Sequence, residues 1–522
     1  MSQQSYRSIL FVDPTQRPGA QAPAPDHFRD LNLDQVVAAV TAGRDEYDLN
    51  PFFHTPLRTL DAIAYRHEVF QDLAEPALVE NVTAFARGMA RTREGLSRAA
   101  KLFHAYQKKR WFLDSLRRYC DTVRGLAEGL TTVDLASRGL RGLRDYLAEY
   151  TASPAFLALQ AETTDLRADL DAVRYCVFIR GHRVRVSHYH EEDDYGWRVA
   201  QTFARFRQGS ARDHRTTFTD SLDVDHVEGM VLDLVARLHP TVFGALDAFC
   251  ERYGGPGPGR PIAFAGDPVL ATFDREVQFY LAYLEYLTPL RQAGLAFCHP
   301  EMSAISKQVA AEQTYDLALA AKLVTAGRPV VRNDFHLTGP ERVMVVTGPN
   351  QGGKTTFARA FGQVHYLASI GVPVPGERAR LFLSDRMYTH FEREEDLDNL
   401  TGKLQDDLVR IHAILAGATE RSIIIMNEIF TSTTLADALW LAHKVMARII
   451  RLDSLGICVT FLDELASFSE KTVSMVSTVA ADDPATLTYR VVRRPADGVA
   501  YAIVLAQRYG LTYERLTKRV AR

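Results

Sequence analysis

Residues 343–360 read VMVVTGPNQGGKTTFARA, and this stretch decides the fold of the C-terminal part of the chain. It contains the pattern G-x-x-x-x-G-K-[ST] at Gly348, Gly353, Lys354 and Thr355, between an apolar strand pattern and a helical pattern. The glycines let successive backbone N–H groups curl around phosphate oxygens, and the helix N-terminus points at the anion. Lys354 would then reach the β and γ phosphates, and the Thr355 hydroxyl would bind Mg²⁺. The stretch therefore predicts an ATP site.

A second motif, SIIIMNE at residues 422–428, ends an apolar strand with Asn427 and Glu428. A buried carboxylate without a role or a partner is costly, and Glu428 in this position can polarise an attacking water as general base. Such strands usually carry Asp where this chain has Asn427. Asn keeps an oxygen but lacks the charge that holds Mg²⁺, a hard cation. We expect Thr355 and Asn427 at the metal, and both active hydrolysis and a slow or silent site stay open.

The pattern of apolar residues along the sequence changes at about residue 329. Helical periodicity dominates before it, for example from Leu78 to Tyr106, where apolar residues recur at steps of three and four. After it, short β-rich runs alternate with helices, which indicates a mostly parallel sheet flanked by helices. We predict an N-terminal arm (1–30) with a short strand SILFV, a helical core and lever domain (31–328) with a small β-hairpin near 175–190, and an ABC-like α/β P-loop NTPase domain (329–522). A further helix is expected over 269–297.

Composition excludes some classes of protein. The 522 residues carry a formal net charge of −3, so any contact with nucleic acid must come from local patches. The five cysteines are far apart and form no CxxC, which argues against a zinc knuckle or a disulfide framework. No run approaches the roughly 18 apolar residues of a membrane span. We expect a cytoplasmic protein with no membrane partner.

The motifs resemble, in order, those of the MutS family of DNA mismatch repair ATPases. TGPNQGGKTT is similar to the family's phosphate loop, and a series of separate matches in the same order is more specific than one loop. The resemblance is strong over about 329–522 and weaker but collinear over about 45–320. The other matching stretches are VVRNDFHLTGPERVMVVTGPN, ASIGVPVPGERARL, LSDRMYTHF, DGVAYAIVLAQRYGLTYERLTKR, PFFHTPLRTLDAIAYRHEVFQDL and LAFCHPEM.

The resemblance implies ATP and Mg²⁺ as cofactors, paired ATPase domains with composite sites, and lever helices that ATP moves around DNA. It implies Glu428 as the base and Asn333 or Phe335 near the adenine. The partners implied are DNA and a second MutS-like subunit, in a homodimer or a heterodimer. The residues that the resemblance assigns to the nucleotide are Gly348, Pro349, Asn350, Gly352, Gly353, Lys354, Thr355 and Thr356.

The chain departs from the family at several positions. Phe461 stands where the family has a switch His, and Phe cannot sense a γ-phosphate by hydrogen bonding; Asp463 is nearby. The segment after Glu428 keeps Asp437 but loses the usual glycines. The region that acts in trans is degenerate, with Thr401 as a candidate hydroxyl. The helical body begins by about residue 30 with no Phe-x-Glu wedge, so we expect a short MutS-like protein without the mismatch-reading and connector domains.

Two other clusters invite a functional interpretation. His182, His188, His190 and the acidic residues 191–194 could form a metal site, but a solvated strand end followed by an acidic turn is the preferred interpretation. QKKRWFLDSLRRYC (residues 107–120) could follow DNA phosphates, although a solvated helix face is preferred. The acidic run 392–398 argues against DNA crossing that surface.

The sequence therefore predicts a dimeric, ATP-gated MutS-like clamp in DNA repair or recombination, which recognises distorted or branched DNA by shape and backbone contacts. An ATPase activity is favoured. The first alternative is a hydrolysis-deficient ATP-binding subunit or scaffold that pairs with an active MutS-like ATPase. The second is an ATPase that acts on a protein or RNA target.

Overall fold

The computed structural model describes residues 6–19, 22–181, 183–192, 224–392, 402–480 and 486–496. The helices are α1 (Leu33–Thr41), α2 (Asn50–His54), α3 (Leu60–Asp72), α4 (Pro76–Lys101), α5 (Ala105–Thr131), α6 (Arg138–Thr151), α7 (Pro154–Asp171), α8 (His226–Leu238), α9 (Pro240–Arg252), α10 (Pro268–Gln292), α11 (Leu317–Thr325), α12 (Lys354–Ser369), α13 (Lys403–Gly417) and α14 (Leu435–Leu452).

The strands are β1 (Tyr175–Arg180), β2 (Arg183–His188), β3 (Phe297–Cys298), β4 (Glu301–Ser303), β5 (Val309–Thr314), β6 (Asn333–Leu337), β7 (Val343–Thr347), β8 (Val374–Pro375), β9 (Arg378–Phe382), β10 (Met387–His390), β11 (Ile423–Asn427), β12 (Leu455–Val459), β13 (Thr472–Val479) and β14 (Leu487–Arg493). The predicted order, a helical region followed by an α/β region, is confirmed.

The chain folds into two compact units that interleave along the sequence. The first comprises Met1–Arg7, Ala74–Ala136 and Leu140–Asp274, and the second comprises Ser8–Leu73, Ser137–Gly139 and Arg275–Arg522. This division differs from the predicted boundaries after residues 30 and 328, because Ser8–Leu73 joins the unit that contains the α/β region. The boundaries after residues 30 and 328 were predicted for the domains of the MutS family, and they remain predictions.

The first unit contains a long antiparallel helix pair, α4 and α5. Small residues let the two backbones approach closely: a Cβ at Gly88 would lie 2.3 Å from Thr122 Oγ1, and a Cβ at Gly95 would lie 2.3 Å from Ser115 Oγ. The prediction of one helix from Leu78 to Tyr106 is wrong at its end. Helix α4 stops at Lys101, Phe103 in the turn is 91% exposed, and Tyr106 belongs to α5. The amphipathic patterns of two consecutive helices happen to continue each other across the turn.

The second unit is built around a six-stranded sheet with the order β10-β11-β12-β7-β13-β14. The first five strands are parallel, and only β14 runs antiparallel, to β13. Strands β7, β11 and β12 are buried along their whole length, as expected of a parallel sheet covered on both faces. The carboxyl ends of these three strands meet at one edge, where ligands of open α/β sheets bind.

A four-stranded sheet, β4-β9-β5-β6, and the small pair β3-β8 complete the β structure of this unit. Helix α12 follows β7 and is buried over most of its length, which fits its apolar sequence on nearly all sides. The aromatic rings of Phe335, Phe361 and His365 pack together at its core, with Phe335 and Phe361 centroids 5.1 Å apart.

Two sequence expectations require correction in the second unit. SILFV (residues 8–12) is not a strand, because Glu276 satisfies its polar groups: the Ser8 hydroxyl and the Ile9 N–H both donate to Glu276 Oε2, at 2.8 and 2.9 Å. The helix expected over 269–297 ends at Gln292, and Phe297 lies in β3.

No single helix among the described residues is both long and apolar enough to cross a bilayer. The pair α8 and α9, bent by 103° at the break, satisfies the length and composition criteria only when its two helices are taken together.

Candidate nucleotide site

The glycine-rich loop, residues 348–353, connects β7 to α12. Gly348 and Gly353 adopt φ values of +117° and +91°, which glycine tolerates without strain. Side chains would also collide there: a Cβ at Gly348 would lie 2.7 Å from the Ser477 carbonyl oxygen, and one at Gly352 would lie 2.5 Å from Ser477 Oγ. The buried Ser477 hydroxyl on β13 donates to the Gly352 carbonyl. A neighbouring strand therefore supports the loop from the side.

Lys354 opens α12 and lies under the loop with only 4% of its surface exposed. Its Nζ donates to the carbonyl oxygens of Gly348 and Pro349, at 2.9 and 3.2 Å, and to Asn350 Oδ1 at 3.3 Å. The nearest Glu428 oxygen is 4.0 Å from Nζ. Burial lowers the pKa of Lys354, and the carboxylates of Glu428 and Asp463 oppose that shift. A cation held beside a curl of backbone N–H groups is suited to phosphate oxygens.

Thr355 and Asn427 come together although 72 residues separate them. The Thr355 hydroxyl donates to Asn427 Oδ1 over 2.8 Å, and Asn427, at the end of β11, is 7% exposed. With Glu428 next in the chain, the donor set is a hydroxyl, an amide oxygen and a carboxylate. These are oxygen ligands of the kind Mg²⁺ takes, together with phosphate oxygens, so the residues fit the ion. They bring one negative charge where an Asp at 427 would make two.

The post-strand segment, residues 428–434, carries Glu428 beside the loop. The Glu428 N–H donates to the Val459 carbonyl of β12 at 2.9 Å, and about 30% of its side chain is exposed. Both Glu428 and Phe430 adopt positive φ, +54° and +61°, a conformation that costs a non-glycine residue about 1–2 kcal/mol. Phe430 has no exposed surface and packs in the core between the sheet and α14. The bend after β11 is therefore made by residues other than glycine, and the buried phenyl ring of Phe430 stabilises it.

The segment that leaves β12 passes between the glycine-rich loop and Glu428. The Thr460 N–H donates to Val346 of β7 at 3.0 Å, so the strand is tied to both neighbours. Phe461 follows and is 49% exposed. Asp463 begins the short 3₁₀ helix Asp463–Ser467 and lies close enough to Lys354 to influence its pKa. The exit of β12 therefore offers a carboxylate and an aromatic ring, but no imidazole.

A cavity of about 250 Å³ adjoins the glycine-rich loop at Gly353 and Thr356. Asn333 borders it, but its side-chain amide is engaged with β14: Nδ2 donates to the Tyr489 carbonyl at 3.3 Å, and Oδ1 accepts from the Val491 N–H at 2.8 Å. The remaining lining is mostly apolar. It comprises Tyr315, Asp316, Leu319, Leu323, Arg328, Pro329, Val330, Val331 and Tyr489.

Comparison with known proteins agrees with this geometry. Residues 344–518 match the family model of MutS domain V. The C-terminal part of the chain is therefore similar to MutS domain V. The DNA mismatch repair protein MutS of Chlorobium phaeovibrioides is 27% identical over 249 residues, which are 47% of this chain and 27% of that protein. The MutS of Chlorobaculum tepidum is 32% identical over 200 residues, 37% of this chain and 22% of that protein.

Endonuclease MutS2 of Gemmatimonas aurantiaca is similar to a comparable extent, with 29% identity over 189 residues, 36% of this chain and 23% of that protein. The chain thus spans about a quarter of the length of the curated relatives it matches. The MutS-like resemblance is therefore firm for the second half of the chain, and the activity of the whole relatives does not transfer with it.

Several of the predicted site residues meet at one edge of the sheet. Gly348, Lys354, Thr355, Asn427 and Glu428 lie within one network of contacts. Phe335 does not border the cavity, since it is 2% exposed in the core. Ser477 and Tyr489 had no local sequence signal, because they reach the loop from strands more than 120 residues away. Thr401 and the closing segment 497–519 lie outside the described residues.

The other two candidate clusters form no site within the described part of the chain. Among the residues that the structure describes, no three His, Cys, Asp or Glu side chains are placed to hold a metal ion, and His182, Asp193 and Asp194 are outside that set. In the basic helix patch on α5, two of the cations form ion pairs with carboxylates of other helices: Lys109 with Asp247 at 2.6 Å, and Arg110 with Asp171 at 3.0 Å. The acidic run is described only at Glu392.

Proposed function

We propose that this chain binds and hydrolyses ATP through a P-loop NTPase domain of the MutS type and acts on DNA in repair or recombination. The observation that carries the proposal is the pairing of the glycine-rich loop with the end of β11. Lys354 and Glu428 stand 4.0 Å apart, and Thr355 bonds Asn427, so phosphate, metal and water ligands converge. The match to MutS domain V supports the DNA part of the proposal.

The chemistry would divide among the chain's own groups. Backbone N–H groups of the loop and Lys354 would hold the phosphates. Thr355 and Asn427 would hold Mg²⁺, whose charge would offset that of the phosphates. Glu428 orients the water and takes its proton as the water oxygen bonds to the γ-phosphorus. The bond from that phosphorus to the β–γ bridging oxygen breaks, and ADP leaves with its electrons. The nucleoside would occupy the cavity beside Gly353.

Resemblance to MutS further suggests that two such domains pair and that ATP closes a dimeric clamp on distorted or branched DNA. The partner would be a second copy or another MutS-like subunit. These steps rest on the resemblance to MutS alone.

The test is ATP turnover by the purified chain, alone and with duplex or branched DNA. Lys354→Ala should abolish nucleotide binding, and Glu428→Ala should lower turnover by about 10²–10⁴-fold while binding persists. Lys322→Ala and Glu377→Ala remove the same charges from exposed positions of the same unit, away from the nucleotide, and should change neither quantity. Turnover that survives Glu428→Ala would contradict the assigned base.

A second candidate function is a silent ATP-binding subunit. Asn427 lacks the metal-binding charge, and exposed Phe461 cannot report a γ-phosphate by a hydrogen bond. This candidate predicts tight ATP binding without turnover, with or without DNA. The double variant Asn427→Asp, Phe461→His should then gain turnover, whereas it would add little to a chain that is already active.

A further inference from the structure

The hairpin formed by β1 and β2 has two chemically different faces. Its register places Phe178 opposite Arg185 and Arg180 opposite Arg183, so these four side chains share one face. The other face carries the apolar pairs Val177 with Val186 and Ile179 with Val184, and part of it packs against α8 around Val186. We define Phe178, Arg180, Arg183 and Arg185 as the basic face.

The basic face is exposed and its charge is unbalanced. All three arginines are exposed, and none forms an ion pair with any residue in the described ranges. Residues 174–190 include four arginines and no Asp or Glu, whereas residues 191–194 are all acidic. Glu192 lies at the far end of the hairpin, where it accepts a hydrogen bond from Cys176 Sγ at 3.2 Å. Like charges placed directly opposite each other, as at Arg180 and Arg183, destabilise a strand pair. An arrangement that weakens the hairpin in isolation indicates an anionic partner.

The α5 patch provides the contrast within the same unit. Its Lys109 and Arg110 face carboxylates at Asp114, Asp171 and Asp247. The fold neutralises this part of the α5 surface. The three arginines of the basic face have no such carboxylate partner within the described residues.

Phe178 specifies the kind of anion. It is 50% exposed in the middle of the basic face, opposite Arg185. Phosphate groups alone would not contact an exposed aromatic ring favourably. The bases of a duplex are stacked on each other, so their faces are not accessible to the ring. Unpaired bases present their faces, on which aromatic rings and guanidinium planes stack.

We propose that the basic face of the hairpin binds single-stranded nucleic acid, with the arginines on phosphates and Phe178 on a base. This inference rests on the proposed action on DNA and assigns it a surface: the contact would be with an unpaired stretch, as at a branch or a distortion. The hairpin belongs to the unit that lacks the glycine-rich loop, so its own residues do not contribute to the nucleotide site.

The test is binding of a fluorescent oligothymidylate and of a labelled duplex by the full chain, followed by anisotropy across a range of salt concentrations. Arg180, Arg183 and Arg185 changed together to Gln should weaken oligothymidylate binding at least tenfold at low salt. The salt slope should fall by about 2, since each single-strand phosphate neutralised contributes about 0.7. The same three positions changed to Lys should keep most of the slope.

Phe178→Ala should weaken oligothymidylate binding about tenfold, leave its salt slope unchanged and leave duplex binding unchanged. The matched control changes Arg117, Arg124 and Arg144 to Gln, three arginines of the same unit that each have a carboxylate within 4 Å. This control should leave oligothymidylate binding close to that of the unmodified chain.

Several outcomes would overturn the proposal. One is equal binding by the hairpin triple variant and the control triple variant, and another is an unmodified chain that binds no oligothymidylate. A Phe178→Ala variant that loses duplex and single-strand binding equally would also overturn it. Basal ATP turnover measured on the same variants should be unchanged, so a failure here is distinct from a failure of the proposed ATPase.

Discussion

The glycine-rich loop and the post-strand segment lie at the same edge of the sheet, and both turn the backbone into positive φ, but by different means. The loop uses glycine at two of its three positive-φ positions, Gly348 and Gly353. The segment uses Glu428 and Phe430, and the burial of the Phe430 ring offsets the strain. The comparison teaches that positive φ at such a site does not require glycine, provided that a side chain enters the core.

The largest effect should come from removing that side chain. Phe430→Ala should lower the free energy of unfolding by about 3–5 kcal/mol, since the ring is fully buried. Phe430→Gly should cost about 1 kcal/mol less than Phe430→Ala, because only glycine is unstrained at this φ. Urea denaturation measures both, with exposed Phe461→Ala as the control. A glycine variant less stable than the alanine variant would show that strain at Phe430 is negligible.

Adding a side chain to the glycine-rich loop should weaken nucleotide binding. Gly348→Ala should weaken binding of a fluorescent ATP analogue about 100-fold, roughly 3 kcal/mol, because the new methyl meets the Ser477 carbonyl at a φ that alanine avoids. Gly339→Ala is the control, since it shares the positive φ but has open space around it. Similar losses in both variants would mean that the close approach to β13 is unimportant.

Acid should weaken the helix that follows the loop. Burial lowers the pKa of His365 on α12 to about 4, whereas an unfolded His titrates near 6.5. Between these values the unfolded chain binds a proton that the folded chain excludes, so stability falls as pH falls. His365 alone should account for about 2 kcal/mol of the loss from pH 7 to pH 5. His365→Phe should flatten this pH dependence by that amount in denaturation experiments, and an unchanged curve would exclude the buried neutral imidazole.

The smallest effect concerns charge beside the post-strand segment. Asn427→Asp should lower the Mg²⁺ concentration needed for half-maximal ATP binding about tenfold, roughly 1.4 kcal/mol, by adding a carboxylate to the oxygen ligands. In a Thr355→Val background the gain should shrink, because the hydroxyl that bonds residue 427 is absent. An equal gain in both backgrounds would place residue 427 outside the metal site.

A feature of the fold or of the nucleotide site could be predicted from the sequence when its residues are close together in the chain. The loop, the strand ending at Glu428 and the hairpin were predictable, because each is written in fewer than 20 consecutive residues. Ser477 was not, since its bond to Gly352 spans 125 residues. The ion pairs of the α5 patch were not predictable for the same reason: Asp171 and Asp247 come from other helices. Sequence gives the positions of charges, but folding decides which of them are neutralised.

Asn333 has a consequence for how mutations at this site should be understood. Its amide fastens β6 to the backbone of β14, and β14 brings Tyr489 to the cavity beside Gly353. Asn333 thus links the four-stranded sheet, which contains β6, to the six-stranded sheet, which contains β14. A displacement of one of these strands is therefore transmitted to the other. Loss of the Asn333 amide would release this link and would also remove one side chain from the cavity lining. A weaker nucleotide affinity in an Asn333 variant would therefore report two effects together, the position of Tyr489 and the lining of the cavity.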